Sequence, residues 1–221
     1  MIELRISERV RAACPQLAVG ALACRVCNPA TSDELWAEVE AECRRVAGTY
    51  RLEDINKRPA IQATRQAYKA FGKDPNRYRP SAEALCRRAV KGLPLYRISA
   101  LVDIINIVSM RSGFSIGGFD ADKIRGGVLE LGVGTADDVF EGIGRGMLNI
   151  EGLPVWRDAE GGIGTPTSDH ERTKLTTGTT RLLMIVNAYN GHDGLPEALD
   201  LATDLLCRYA GAEEVRATVN G

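Results

Sequence analysis

Leu35, Val39 and Cys43 recur every fourth residue and lay one apolar stripe along a predicted helix of about residues 32–47, ending near Gly48. Just before it, Thr31 and Glu34 in the run TSDE have the spacing of a capping box, in which each side chain satisfies the other residue's free backbone N–H. The preceding run QLAVGALACRVC, residues 16–27, is nearly all apolar, and Asn28 and Pro29 stop it, as expected of a buried strand. Residues 60–71 predict a second helix ended by Gly72. Arg79, Pro80 and Ser81 introduce a third, SAEALCRRAVKG, closed by Gly92 and Pro94. A fourth starts from Ser99 as N-cap, carries its stripe on Leu101, Ile104, Ile105 and Val108, and stops at Gly113. Asp103 and Asn106, three residues apart, share a face of that helix, where they are expected to tie down neighbouring backbone such as residues 117–120.

Beyond residue 113 the period changes. Fourteen of the 23 glycines fall between Gly113 and Gly164, interleaved with short apolar runs such as GVLELGV, MLNIEG and LPVW. That pattern predicts short strands joined by tight turns. LLMIVNAY, Leu182 to Tyr189, reads as a buried strand, and residues 195–210 as a final amphipathic helix. Helices come first and strands dominate later, so the expected fold class is α+β, with first-half helices packed on a mixed or antiparallel sheet built largely from the second half.

Composition narrows the function classes. The chain has 221 residues, 44% of them hydrophobic, enough to bury a sizeable core, and we expect a single domain over residues 1–221. No apolar run is long enough to span a membrane, and the charged N-terminus lacks a secretory core, so a cytoplasmic location with reduced thiols is expected. Cys24 and Cys27 form a lone C-x-x-C without the further ligands that a zinc site needs; no metal and no cofactor are expected. None of the glycine-rich segments has the order that cradles a nucleotide phosphate. The net charge of −1 conceals a split. From Arg44 to Arg97 there are 14 Lys and Arg against four acids, a local net of +10, and the rest of the chain carries −11. A basic tract of this kind is the footprint of a polyanion partner or of solvated helix faces.

The run TPTSDHERTKLTTGTT, Thr165 to Thr180, is polar yet feeds an apolar strand, the usual way of setting ligand-binding groups at a pocket rim. Asp169, Glu171, Arg172 and Thr173 offer donors and acceptors within five residues; a solvated turn has the same composition.

The stretch SALVDIINIVSMRSGFSIGGFDADKI, Ser99 to Ile124, resembles the third-and-fourth (B3/B4) domain of the bacterial phenylalanyl-tRNA synthetase beta subunit. There a similar helix reads V-D-I-x-N-x-V and the following loop reads P-x-H-A-F-D. The likeness extends over about residues 58–190. The first strand and helices (1–57) precede this core, and the helix at 195–210 follows it. The resemblance implies a domain that removes wrongly attached tyrosine from tRNA, here as a free-standing relative, with tRNA or aminoacyl-tRNA as partner. It places Glu171 on the glutamate that accepts a hydrogen bond from the tyrosine phenol, although the local Asp169-His170-Glu171 is nearer the D-S-E-R-T of free-standing relatives. Gly117 stands where the loop histidine would be, so Asn106 and the Gly117–Gly118 backbone are left to line the ester site. Asp169, Arg172 and Thr173 would shape its rim. Arg65, Arg77, Arg79, Arg87 and Arg88 are the candidate tRNA contacts. Two other functions stay open, a non-catalytic module for tRNA or an amino-acid-like ligand, and a metabolic enzyme acting on a small acid or amide. The length leaves no room for an aminoacylation core as well, and the oligomeric state is left open.

Overall fold

A computed structural model describes residues 2–220. The central layer is an antiparallel sheet in the order β10-β2-β9-β3, made of β2 (Ala18–Arg25), β3 (Ile116–Asp120), β9 (Arg181–Ala188) and β10 (Glu213–Asn220). Its apolar runs are continuous because both faces are covered. Along β9, Leu182, Met184, Val186 and Ala188 face a helical layer, while Leu183 and Ile185 face a second sheet. The helical layer consists of α5 (Ala100–Ser112), α6 (Leu195–Ala210) and α2 (Asp33–Thr49). α6 comes so near β2 that a methyl group at Gly20 would stand 2.7 Å from a Leu195 carbon.

The second sheet runs β1-β4-β7-β8: β1 (Glu3–Ile6), β4 (Val128–Val133), β7 (Pro154–Asp158) and β8 (Gly161–Gly164). It is mixed, since β1 lies parallel to β4 and the other pairs are antiparallel. The Trp156 indole N–H donates to Asn187 Oδ1 across the buried gap between the sheets, at 3.0 Å. A two-stranded hairpin, β5 (Glu141–Gly142) and β6 (Gly146–Met147), projects beside β8, and α1 (Glu8–Ala13), α3 (Pro59–Ala70) and α4 (Ser81–Val90) complete the chain. The fold is α+β with helices concentrated in the first half, as the patterning predicts, and the strands form two four-stranded sheets and a hairpin where one sheet was expected.

Several local expectations change. Ser32, not Thr31, caps α2, accepting from the Leu35 N–H. Thr31 instead turns inward to donate to Asp103, and α2 runs through Gly48 to Thr49. Ser99 occupies the N-cap of α5 without a side-chain cap bond; Asn28 reaches over to accept from the Leu101 N–H. Residues 116–120 are a strand, not a loop. Gly117 and Gly118 are there for space: a Cβ at 117 would meet Phe119 Cζ at 2.6 Å, and one at 118 would meet Ile105 Cδ1 at 2.4 Å. β1 and β10 escape the patterning because both are short on buried apolar positions and lie at sheet edges. Of the C-x-x-C pair, Cys24 packs in the core and Cys27 is exposed beyond the strand end.

Candidate functional site

A cavity of about 300 Å³ opens where α4, α5, β3 and the 165–175 loop meet. Val102, Ile105, Asn106 and Ser109 line it at helical spacing from α5, and Leu85 comes from α4. Ile98, Ile116, Ile143 and Leu175 extend the apolar wall, and Gly118, Lys174 and Asp169 also border it. The volume is at the small end of ligand pockets, about 300–1,000 Å³, and the mix of apolar walls with a few polar groups is typical of them.

Asp169 is held firmly. Its loop is pinned to α3 by a 2.8 Å hydrogen bond between Tyr68 and Thr167, and to α4 by the Ser81 N–H donating to the Pro166 carbonyl. Within the loop, Thr165 Oγ1 accepts from the N–H groups of Thr167 and Ser168. Asp169 Oδ2 accepts from the Gly118 N–H at 3.1 Å, and no cation pairs with the carboxylate among the described residues. Part of its surface stays accessible because the cavity opens onto it. The surrounding protein is nonetheless dense enough that burial pushes its carboxyl up to about 7, against the lowering pull of the Gly118 N–H. Oδ1 lies 3.4 Å from the position a Cβ would take at Gly117 and 2.7 Å from that at Gly164. The carboxylate thus occupies space next to where the resemblance puts a histidine.

The backbone at this point is already engaged. N–H groups alternate in direction along a strand. Because the Gly118 N–H points outward to Asp169, the Gly117 N–H points inward to its partner strand β9.

Asn106, Gly118 and Asp169 therefore come together at one cavity, whereas Gly117 lies behind its wall and Glu171, Arg172 and Thr173 stand outside it. Glu171 bonds Lys174 and accepts from the Gly144 N–H at 3.3 Å, bracing the β5–β6 hairpin against the cavity mouth. The Lys174 ammonium is the main cause holding its carboxyl below the ordinary range. Arg172 faces the opposite way and forks onto Asp158. Thr173 is fully buried. His170 accepts from the Arg172 N–H at Nδ1 and sets its ring edge-on to Phe140, away from the cavity. Asp103 does not reach residues 117–120. It accepts from Thr31 and from the Ile98 N–H, which fixes the segment leading into α5. Asp120 takes the Thr179 hydroxyl at 3.0 Å and so anchors the end of the polar loop to β3.

The basic tract is partly internal. Glu83, 2% exposed on α4, is met by Arg65 at 2.8 Å, Arg79 at 3.4 Å and Arg87 at 3.8 Å. Arg77 lies over the Tyr78 ring. Arg88 donates to the Pro94 carbonyl and lies over Tyr96. Arg79, Arg87, Arg88 and Lys91 nevertheless line a surface depression whose wall, Leu85, is shared with the cavity.

Sequence reasoning missed the apolar half of this site. The available signal was a second face of α5, Val102, Asn106 and Ser109, which adjoins the core stripe at Ile105. No signal pointed to Ile143 or Lys174, which reach the cavity from separate turns. Among the described residues no helix is long and apolar enough to cross a membrane, and no cluster of side chains has the makings of a metal site.

A comparison with curated proteins finds no match. Among solved structures the fold is similar to an N-terminal fragment of the phenylalanyl-tRNA synthetase beta subunit from Pyrococcus horikoshii, at 16% identity and a TM-score of 0.47. The match covers 97% of this chain and 50% of the fragment, so the chain spans half the length of that neighbour. Residues 63–211, well over half of the sequence, match the B3/4 domain, and the chain belongs to that family.

Proposed function

We propose that this synthetase-related domain receives the aminoacylated 3′ end of a tRNA and hydrolyses a mischarged aminoacyl ester, with Asp169 as general base. The observation that carries the reading is the Asp169 carboxyl, raised to about 7 by burial and open to an apolar cavity. A base that changes protonation near working pH is the most effective kind. The amino-acid side chain packs among Leu85, Val102, Ile105, Ile116 and Leu175, which favours an apolar residue of modest size. A water bonded to Asp169 Oδ1 attacks the ester carbon as its proton passes to the carboxylate. The C–O bond to the ribose then breaks, and the proton returns to the leaving hydroxyl. Asn106 is the side-chain donor on the cavity wall assigned to the developing oxyanion, since the Gly117 and Gly118 N–H groups are both committed and the Lys174 ammonium is bonded to Glu171.

That commitment favours one alternative, binding of aminoacyl-tRNA without cleavage. A deacylation assay across mischarged tRNAs separates the two. Turnover above buffer that rises through about pH 7 and is lost in Asp169→Asn is expected. Salt-sensitive tRNA binding with an intact ester would leave only the binding module. Neither binding nor turnover by folded protein would remove both.

A further inference from the structure

Among the described residues, six of the seven exposed large apolar side chains fall on two segments, residues 93–98 and 139–147, each of which lends one residue to the cavity wall. Leu93, Tyr96 and Ile98 lie on the connection between α4 and α5, Ile143 and Met147 lie on the β5–β6 hairpin, and Val139 lies just before it. Ile98 and Ile143 are themselves cavity walls, so the two segments border one opening. Apolar side chains left exposed around one opening are available for contact with a partner.

The connection has no regular structure but is tied down by hydrogen bonds along its length. Arg88 Nε donates to the Pro94 carbonyl at 2.6 Å, Arg97 donates to the Thr31 carbonyl and bridges to Asp33, and the Ile98 N–H is held by Asp103. Tyr96 is 70% exposed. The Arg88 guanidinium lies over one face of its ring at 4.8 Å, which leaves the other face to solvent. Beside this pair, Arg79, Arg87, Arg88 and Lys91 border the depression of about 280 Å³ that shares Leu85 with the cavity. An open aromatic face next to a cationic track is how proteins hold unpaired nucleotides, whereas a duplex is read through its backbone and shape.

We propose that residues 93–98 form a stacking platform for the unpaired 3′-terminal nucleotides of an RNA, with Tyr96 under a base and Arg79, Arg87, Arg88 and Lys91 on the adjoining phosphates. The inference rests on the reading of the cavity as an ester site, because the platform delivers the strand end to that opening. The apolar rim suits a base and the cationic depression suits its phosphates; together they select a nucleic acid over an apolar peptide.

The test uses the full chain and two RNA hairpins of the same stem, one blunt and one with a short single-stranded 3′ overhang ending in 2-aminopurine. The overhang hairpin is expected to bind more tightly, with its fluorescence quenched on binding. Tyr96→Ala should abolish the quench and weaken binding about tenfold, the scale of one lost base–aromatic stack, while Tyr96→Phe preserves both. Arg88→Ala should lower the salt slope of binding by about one phosphate contact. Equal affinity for both hairpins, or an unchanged quench in folded Tyr96→Ala protein, would overturn the platform. Deacylation distinguishes it from the hydrolase reading. A quench that depends on Tyr96 without ester cleavage keeps the platform and rejects the hydrolase. Cleavage unaffected by Tyr96→Ala, with no quench in the parent protein, does the reverse.

Discussion

Two carboxylates near one cavity, Glu83 buried on α4 and Asp169 half-buried in the cavity wall, meet opposite fates. Glu83 is enclosed by Arg65, Arg79 and Arg87, and its charge is balanced where it sits. Among the described residues Asp169 has one backbone N–H and no cation, and burial pushes its carboxyl up to about 7. The first arrangement holds α3 to α4, and the second leaves a group whose proton is exchangeable near neutrality. The two sites differ in their partners, three guanidinium groups at Glu83 and a single backbone N–H at Asp169.

The sharpest way to break that contrast is to unbalance the paired site. Glu83→Ala leaves three guanidinium groups converging without a counter-charge, and we expect a loss of about 3–5 kcal/mol in urea unfolding. A loss under about 1 kcal/mol would mean that the arginines relax into solvent and that Glu83 is not the brace inferred here. Next in size is Gly117→Ala, whose new methyl would stand 2.6 Å from Cζ of the fully buried Phe119. Such overpacking should cost about 1–3 kcal/mol, and an unchanged unfolding midpoint would show that Phe119 can give way. The same crowding explains why the family's loop histidine has no room here without rebuilding Phe119 and Asp169.

Asp169→Asn tests the unpaired acid directly. Asparagine keeps an acceptor for the Gly118 N–H but carries no charge. The native carboxyl binds its proton up to about pH 7, whereas in the unfolded chain it lets go near the ordinary 3.8. The parent protein therefore loses stability as pH rises between those values, and below them the group contributes no difference. The variant should match the parent at acid pH and exceed it above neutrality by about 1–2 kcal/mol, since the open cavity screens part of the full effect. A stability difference that is flat with pH would show that the Asp169 carboxyl titrates in the ordinary range.

What the chain revealed before its structure follows the range of the interactions. α6 and β9 were legible because their apolar patterns answer to contacts along the whole element, as with Leu182 to Ala188 alternating between two cores. The cap of α5 was not, since the group that satisfies it, Asn28, comes from a distant turn. The cavity lay between these cases. Asn106, Gly118 and Asp169 drew attention by residue type and family likeness, yet what makes Asp169 unusual is the lack of a cation, and sequence spacing does not reveal a missing partner. The charge counted along the chain overstates what reaches the surface, since Arg65 lies largely inside against buried Glu83.

Glu171 supplies a third term and the smallest expected effect. It is accessible and paired with Lys174, so it is neither a buried brace nor an unpaired base. If it accepted a hydrogen bond from a substrate phenol, its removal would collapse discrimination between tyrosyl and phenylalanyl esters, on the order of 10⁴-fold where such pairing decides. Its place outside the cavity, with Gly144 and Lys174 as partners, predicts a different result. Glu171→Ala should leave that selectivity nearly unchanged and raise KM for both esters alike, because the β5–β6 hairpin carrying Ile143 loses a tether at the mouth. Parallel kcat and KM measurements on the two esters decide it: a selective loss of tyrosyl turnover would return Glu171 to the substrate and demand that the hairpin close over the bound amino acid.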